Sequence, residues 1–187
     1  MGYFRYDRAV LERFPDTRAG VIYATGLANG PTPVLLQKAF GVEQRLVLAR
    51  IGDTPLSEIP SLAAWRRVFS GFGARPTKYR NAAEALARRL NKRGDIPSIN
   101  LLVDIANLIS IRYGLPIAVF DQSGVAGGTT VRFADGTESF TDLGSIQAVA
   151  PEAGEVVFVD EQGIVSARRW CWRQSDQSAA GPETTEA

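Results

Sequence analysis

The sequence predicts an α/β (α+β) fold, a mixed sheet with helices packed on it. Helical hydrophobic spacing dominates the chain up to Tyr113, and short strand-like runs set apart by Asp and Gly turns dominate it after Asp121. Its 187 residues, 45% hydrophobic and 22% charged, suffice for one sizeable core with an appendage.

The elements follow in order. Residues 20–25 read as a strand containing Val21, Ile22 and Tyr23, and residues 26–33 carry turn chemistry. Residues 34–49 read as a helix interrupted near Gly41, and residues 57–69 as a second helix. A loop with two glycines and a proline, residues 70–77, leads to a basic helix over residues 81–93, with Ala82, Leu86 and Leu90 inward. Residues 94–97 break it, and Ser98 or Asn100 caps the next helix.

That next helix is the most informative element. Leu102, Ile105, Ile109 and Tyr113 recur at helical spacing, which predicts a buried helix. Asn100, Asp104 and Asn107 form a polar stripe on it at i, i+4 and i+7. Buried polar groups need partners. The stripe therefore either ties the helix to neighbouring backbone or lines a small polar pocket. Gly114 ends the helix, and residues 116–121 read as a short apolar strand.

Residues 129–133 and 138–140 flank Asp135-Gly136, which predicts a hairpin. Residues 156–159 and 164–172 flank Glu161-Gln162-Gly163, which predicts a second. Alternation along residues 168–175 puts Trp170 and Trp172 on one strand face, with Arg169 and Arg173 on the other. The tryptophans read as core. Residues 176–187 read as a tail, open to truncation. The expected organisation is an N-terminal extension over residues 1–75, a core over 76–175, and that tail.

Composition excludes several chemistries. No apolar run reaches the ~18 to 20 residues of a membrane helix, and the start lacks a secretory layout, so a cytoplasmic setting is expected. A single cysteine, Cys171, permits no internal disulfide. The absence of histidine removes histidine-based triads, dyads and zinc sites. No acidic cluster suggests magnesium, so neither metal nor other cofactor is expected. The glycines at 124, 127 and 128 lack the lysine and hydroxyl residue of a phosphate loop and read as turn glycines.

Charge is polarised although the net charge is only +1. Nine basic residues lie between Ser61 and Arg93: Arg66, Arg67, Arg75, Lys78, Arg80, Arg88, Arg89, Lys92 and Arg93, opposed only by Glu84. Seven acidic and no basic residues lie between Phe133 and Glu161. The basic run is either the solvated face of an amphipathic helix or an electrostatic footprint for nucleic acid.

Val103-Asp104-Ile105-Ala106-Asn107, then Gly114-Leu115-Pro116, then Phe120-Asp121, resembles the B3/B4 domain of the bacterial phenylalanyl-tRNA synthetase beta subunit. That family runs V-D-[ITV]-T-N, a hydrophobic helix, G-Q-P and H-A-F-D. The resemblance covers about residues 78–173. The N-terminal extension and the Arg-Arg-Trp-Cys-Trp-Arg-Gln-Ser segment at 168–175 are similar to a free-standing version of the domain.

The resemblance implies a tRNA-binding protein with the acceptor end of tRNA as partner. It implies a stand-alone deacylase that clears mischarged aminoacyl-tRNA by metal-free ester hydrolysis. Asn107 falls on the family's pocket asparagine and is the implied catalytic residue, while Asp104 falls on its structural aspartate. The implied pocket comprises Asn100, Asp104, Ala106, Pro116 and Ala118, with Gly127 and Gly128 admitting a terminal ribose. Arg66, Arg67, Lys78, Arg80, Arg88, Arg89, Lys92, Arg173 and Gln174 would hold the RNA. Two departures count against tyrosine as the mischarged residue. The family's threonine is Ala106 here and its pocket histidine is Ala118. A non-catalytic RNA-binding module and an amino-acid-type small-molecule binder are the alternatives.

Overall fold

The computed structural model describes residues 2–187. A five-stranded mixed sheet forms the centre. Its strands are β1 (Phe4–Tyr6), β2 (Thr129–Phe133), β5 (Val156–Val159), β6 (Val165–Arg168) and β7 (Arg173–Gln174), adjacent in that order. β1 runs parallel to β2, and the remaining pairs are antiparallel. β3 (Phe140–Thr141) and β4 (Ala148–Val149) form a separate two-stranded ribbon.

Five helices accompany the sheet: α1 (Arg8–Arg13), α2 (Val34–Ile51), α3 (Pro60–Gly71), α4 (Ala82–Arg93) and α5 (Leu101–Tyr113). Phe40 and Val47 of α2 share one apolar cluster with Leu62 of α3, Ala87 and Leu90 of α4, and Leu108 and Ile111 of α5. A second cluster gathers aromatic rings around Trp170, which meets Tyr6, Phe14, Trp65 and Phe72 at centroid distances of 5.3–6.4 Å. Residues from both sides of position 75 therefore build the same cores.

The helix ends follow elementary capping chemistry. The Asn81 side chain accepts from the Glu84 N–H, and Asn100 accepts from the Val103 N–H, so each caps its helix. Gly114 closes α5 at φ 65°, where a Cβ is costly.

Several expectations are corrected. α2 runs unbroken through Gly41, because interior glycine only weakens a helix and tertiary packing outweighs it. Residues 20–24 form no strand and leave Ile22 exposed; only Thr25 bridges, to Glu186. Residues 116–121 contribute one bridge, Phe120 to Ala179, in place of a strand. β2 pairs with β1 and β5 and not with β3, so Asp135-Gly136 is a turn without a hairpin. Glu138 holds that turn by accepting from the Asp135 and Gly136 N–H groups, both at 3.0 Å. On α5, the Ile105 and Tyr113 line faces outward and Asp104, Leu108 and Ile111 face inward. The β5–β6 hairpin forms as expected.

The C-terminal residues are held in place. Ala187 exchanges two backbone hydrogen bonds with Ala24, the Gln122 N–H reaches Glu186, and Thr184 is buried and donates to Asp121 at 2.5 Å.

Candidate functional site

Two places matter, the polar stripe of α5 and the basic face of α4. On α5 the three polar residues have three different fates. Asn100 caps the helix and donates to the Ala180 carbonyl at 3.0 Å. Asp104 is fully buried. Its carboxylate accepts from the Thr32 hydroxyl at 2.6 Å, the Ile99 N–H at 2.9 Å and the Ser98 hydroxyl. Three donors around a buried carboxylate make a structural tie, which fixes the start of α5 against the loop before α2. Asn107 is half-buried, and among the described residues its amide makes no hydrogen bond.

The other residues expected at the pocket divide. Ala106 is buried, Pro116 half-buried and Ala118 exposed. Gly128 lies under the Tyr3 ring, where an added Cβ would come within 2.5 Å, and a Cβ on Gly127 would meet the Glu161 carboxylate at 2.3 Å. The close approach that these glycines allow is to the protein's own N-terminal strand and to Glu161.

The α4 face is built by a device that sequence spacing did not reveal. The chain reverses between β6 and β7 in a four-residue turn, with Arg169 at φ 44° and Trp170 at φ 62°. Such left-handed residues other than glycine cost about 1–3 kcal/mol each. Burial of the Trp170 indole in its aromatic cluster holds the turn on one side. On the other, the Arg169 guanidinium meets Glu155 at 2.9 Å and Glu152 at 3.1 Å, and stacks on Tyr79 at 3.9 Å. The Ala82 N–H at the start of α4 donates to the Cys171 carbonyl at 2.8 Å. Trp170 and Trp172 therefore part company. Trp170 enters the core, and Trp172 packs edge-on against Tyr79 at 4.9 Å beside α4.

The result is a surface groove of about 410 Å³ on α4. Lys78, Arg80, Arg88, Arg89, Lys92 and Arg93 line it, with Trp172 and Arg173 from the turn and β7 closing one side. No acidic side chain lines it. A neighbouring groove of about 370 Å³ shares Arg80, Arg88 and Lys92 and adds Arg66. Lys78, Arg88, Lys92 and Arg93 have no acidic partner within 4 Å among the described residues.

The remaining expected RNA-facing residues are differently placed. Arg66 and Arg80 flank the buried Glu84, at 2.7 and 3.7 Å, so their charge is partly answered within the fold. Arg67 is exposed but lines neither groove. Arg89 sits 3.9 Å from Asp95. Arg173 pairs with Asp142 and stacks on Trp172 at 4.8 Å. The Gln174 amide is engaged inside the fold, donating to the Val119 carbonyl at 2.5 Å and the Ser178 carbonyl at 2.9 Å.

A B3/4 domain family model matches residues 64–187. The chain belongs to the B3/4 domain family. Curated relatives carry the name phenylalanine–tRNA ligase beta subunit. The Streptomyces avermitilis protein is 37% identical over 80 residues, 43% of this chain and 9% of its own length. The Brucella abortus protein is 35% identical over 115 residues, 60% of this chain and 14% of its own. That of Shewanella oneidensis is 26% identical over 167 residues, covering 88% of this chain and 21% of the relative. The B3/4 chain thus spans about a tenth to a fifth of the length of these relatives, and the last match reaches well into the N-terminal part. No helix among the described residues is long and apolar enough to cross a membrane.

Proposed function

We propose that this B3/4 protein binds tRNA along the α4 groove and hydrolyses mischarged aminoacyl-tRNA in trans, with Asn107 at the reacting ester. The observation that carries the RNA reading is the groove itself. Seven basic side chains from two separated segments converge there with an indole, and no acid intervenes. Lysines and arginines along a groove neutralise phosphates, and an aromatic edge gives unpaired bases a stacking surface. The curated relatives are ligases acting with a tRNA, which supports tRNA as the RNA.

The hydrolytic part rests on Asn107, whose amide is unengaged on an otherwise tied-down helix face. Such an amide can donate to the ester carbonyl oxygen as negative charge develops there. An aminoacyl ester on a terminal ribose is already activated. A positioned water and the neighbouring ribose hydroxyl complete the chemistry without a protein base. The mischarged residue is not expected to be tyrosine, because Ala106 and Ala118 offer no hydrogen bond to a phenolic hydroxyl.

One observation favours a second reading, a non-catalytic tRNA-binding module. The Asp104 carboxylate is buried and committed to three donors, so this stripe offers Asn107 no exposed acid–base group. A deacylation screen over a panel of mischarged tRNAs, run beside filter-binding with the same tRNAs, separates the two. Turnover that Asn107→Ala removes supports the deacylase. Salt-sensitive binding without turnover supports the module, and no binding at low salt overturns both.

A further inference from the structure

α2 is an 18-residue helix that is apolar on two opposite faces. One face, with Phe40, Val47 and Ile51, belongs to the core. The opposite face carries Leu35, Ala39, Val42, Leu46 and Ala49, all exposed, with Leu35 at 81% and Leu46 at 58%. Their spacing is 4, 3, 4, 3, the alternation of a coiled-coil seam. Isolated apolar residues on a surface are ordinary, whereas these five follow one another in heptad register along a single helix and form a continuous apolar strip. It lies outside the residues that the family model matches.

Charge beside the seam selects the occupant. With Leu35, Val42 and Ala49 at d positions and Ala39 and Leu46 at a positions, Lys38 and Arg45 fall at g and Arg50 at e. Lys38 and Arg45 are exposed and have no acidic partner within 4 Å among the described residues. The one acid at an e position, Glu43, is buried and held by Arg112 at 2.6 Å. A second copy of the chain fits badly. Antiparallel pairing would set Lys38 and Arg45 against each other, and parallel pairing would set Arg45 against Arg50 of the second helix.

We propose that the outer face of α2 docks a partner protein through an amphipathic helix with apolar a and d positions and glutamate or aspartate at e and g. The apolar seam supplies contact, and the basic flanks supply orientation and choice of partner. The proposal is independent of tRNA binding, which uses α4.

The test uses the full chain and two synthetic probes. One is a four-heptad peptide with leucine at a and d and glutamate at e and g; the other carries lysine at e and g. Titration by fluorescence anisotropy should show binding of the acidic peptide only. Leu35→Glu with Leu46→Glu should weaken it by about ten-fold or more. Lys38→Glu with Arg45→Glu should shift preference to the basic peptide, a swap that a folding defect would not produce. tRNA binding should be unchanged in both variants. Equal binding of both peptides, or no binding of either at about 100 μM, overturns the proposal. So does a concentration-dependent dimer of the protein alone that the leucine substitutions dissolve, which would give the seam to a second copy.

Discussion

Three polar side chains that the sequence places alike prove physically different. Asp104 has no exposure and three donors, so removing it strands the buried Thr32 hydroxyl and releases the Ser98 hydroxyl and the Ile99 N–H, which belong to exposed residues. Asp104→Ala should lower the unfolding free energy by about 1–3 kcal/mol, read from urea denaturation. Asn107 makes no such tie. Asn107→Ala should leave stability and tRNA affinity nearly unchanged while slowing deacylation by ~10²-fold or more. A loss of stability comparable to that of Asp104→Ala would return Asn107 to a structural role. Asp121, the last residue of the family motif, acts as a clamp: it accepts from the Ser123 hydroxyl and N–H and from Thr184 of the C-terminal segment. Burial alone would raise its pKa, but these hydrogen bonds outweigh that and hold it below the ordinary carboxylate value. A depressed folded value means that Asp121 contributes fully above the unfolded value near 4 and that its contribution is lost as pH falls through the folded one. Amides of residues 184–187 should therefore lose hydrogen-exchange protection as pH falls below about 4. Asp121→Asn should show weakened protection already at neutral pH. Full protection of that segment in the variant would refute the clamp.

At the scale of elements, α4 and α5 were legible because each declares itself locally, whereas the six-residue α1 was not read from the sequence. Asn81 and Asn100 cap, Gly94 and Gly114 stop, and the hydrophobic spacing between them has one period. The sheet was less legible, since pairing depends on distant partners. Asp135-Gly136 has hairpin chemistry, yet β2 finds β1 from the other end of the chain, which no local pattern announces. Residues 168–175 misled for a different reason. Alternation assumes an extended strand, whereas Arg169 and Trp170 take left-handed backbone because an aromatic core captures one side chain and two glutamates the other. That turn is what carries Trp172 and Arg173 to α4; Arg173 was expected to face RNA, whereas Trp172 was expected in the core. Two expectations follow. Trp170→Ala should destabilise the fold by about 3–5 kcal/mol, as large aromatic truncations in cores do, read from the denaturation midpoint. Arg88→Glu with Arg89→Glu should weaken binding of every tRNA alike and flatten the salt dependence of the wild-type protein, whose log–log slope should reach several units. Unchanged affinity in that double variant would remove α4 from the binding surface.

Across the whole molecule, the near-zero net charge conceals a division of labour. The acidic stretch between Phe133 and Glu161 is largely engaged within the fold: Glu138 holds Arg132, Glu155 holds Arg168 and Arg169, and Asp142 meets Arg173. The α4 face keeps free cations because the acids that would balance the chain are committed elsewhere. The same accounting limits the chemistry. The chain has no histidine. Its single thiol, Cys171, is pushed well above its ordinary value by burial, so it supplies no thiolate near neutrality. Asp104 is buried and committed to three donors, and Asp121 and Glu138 sit below their ordinary values, where they are weak bases. The hydrolysis proposed at Asn107 would then depend on hydroxide or the substrate's own ribose hydroxyl. The rate should rise smoothly between about pH 6 and 8, with no inflection from a protein group. Asn107→Ala should lower that curve without changing its shape, since an amide does not titrate there. A bell-shaped profile with a limb near neutrality would mean that a strongly shifted carboxylate or Cys171 carries the reaction, and Asn107 would no longer be its centre.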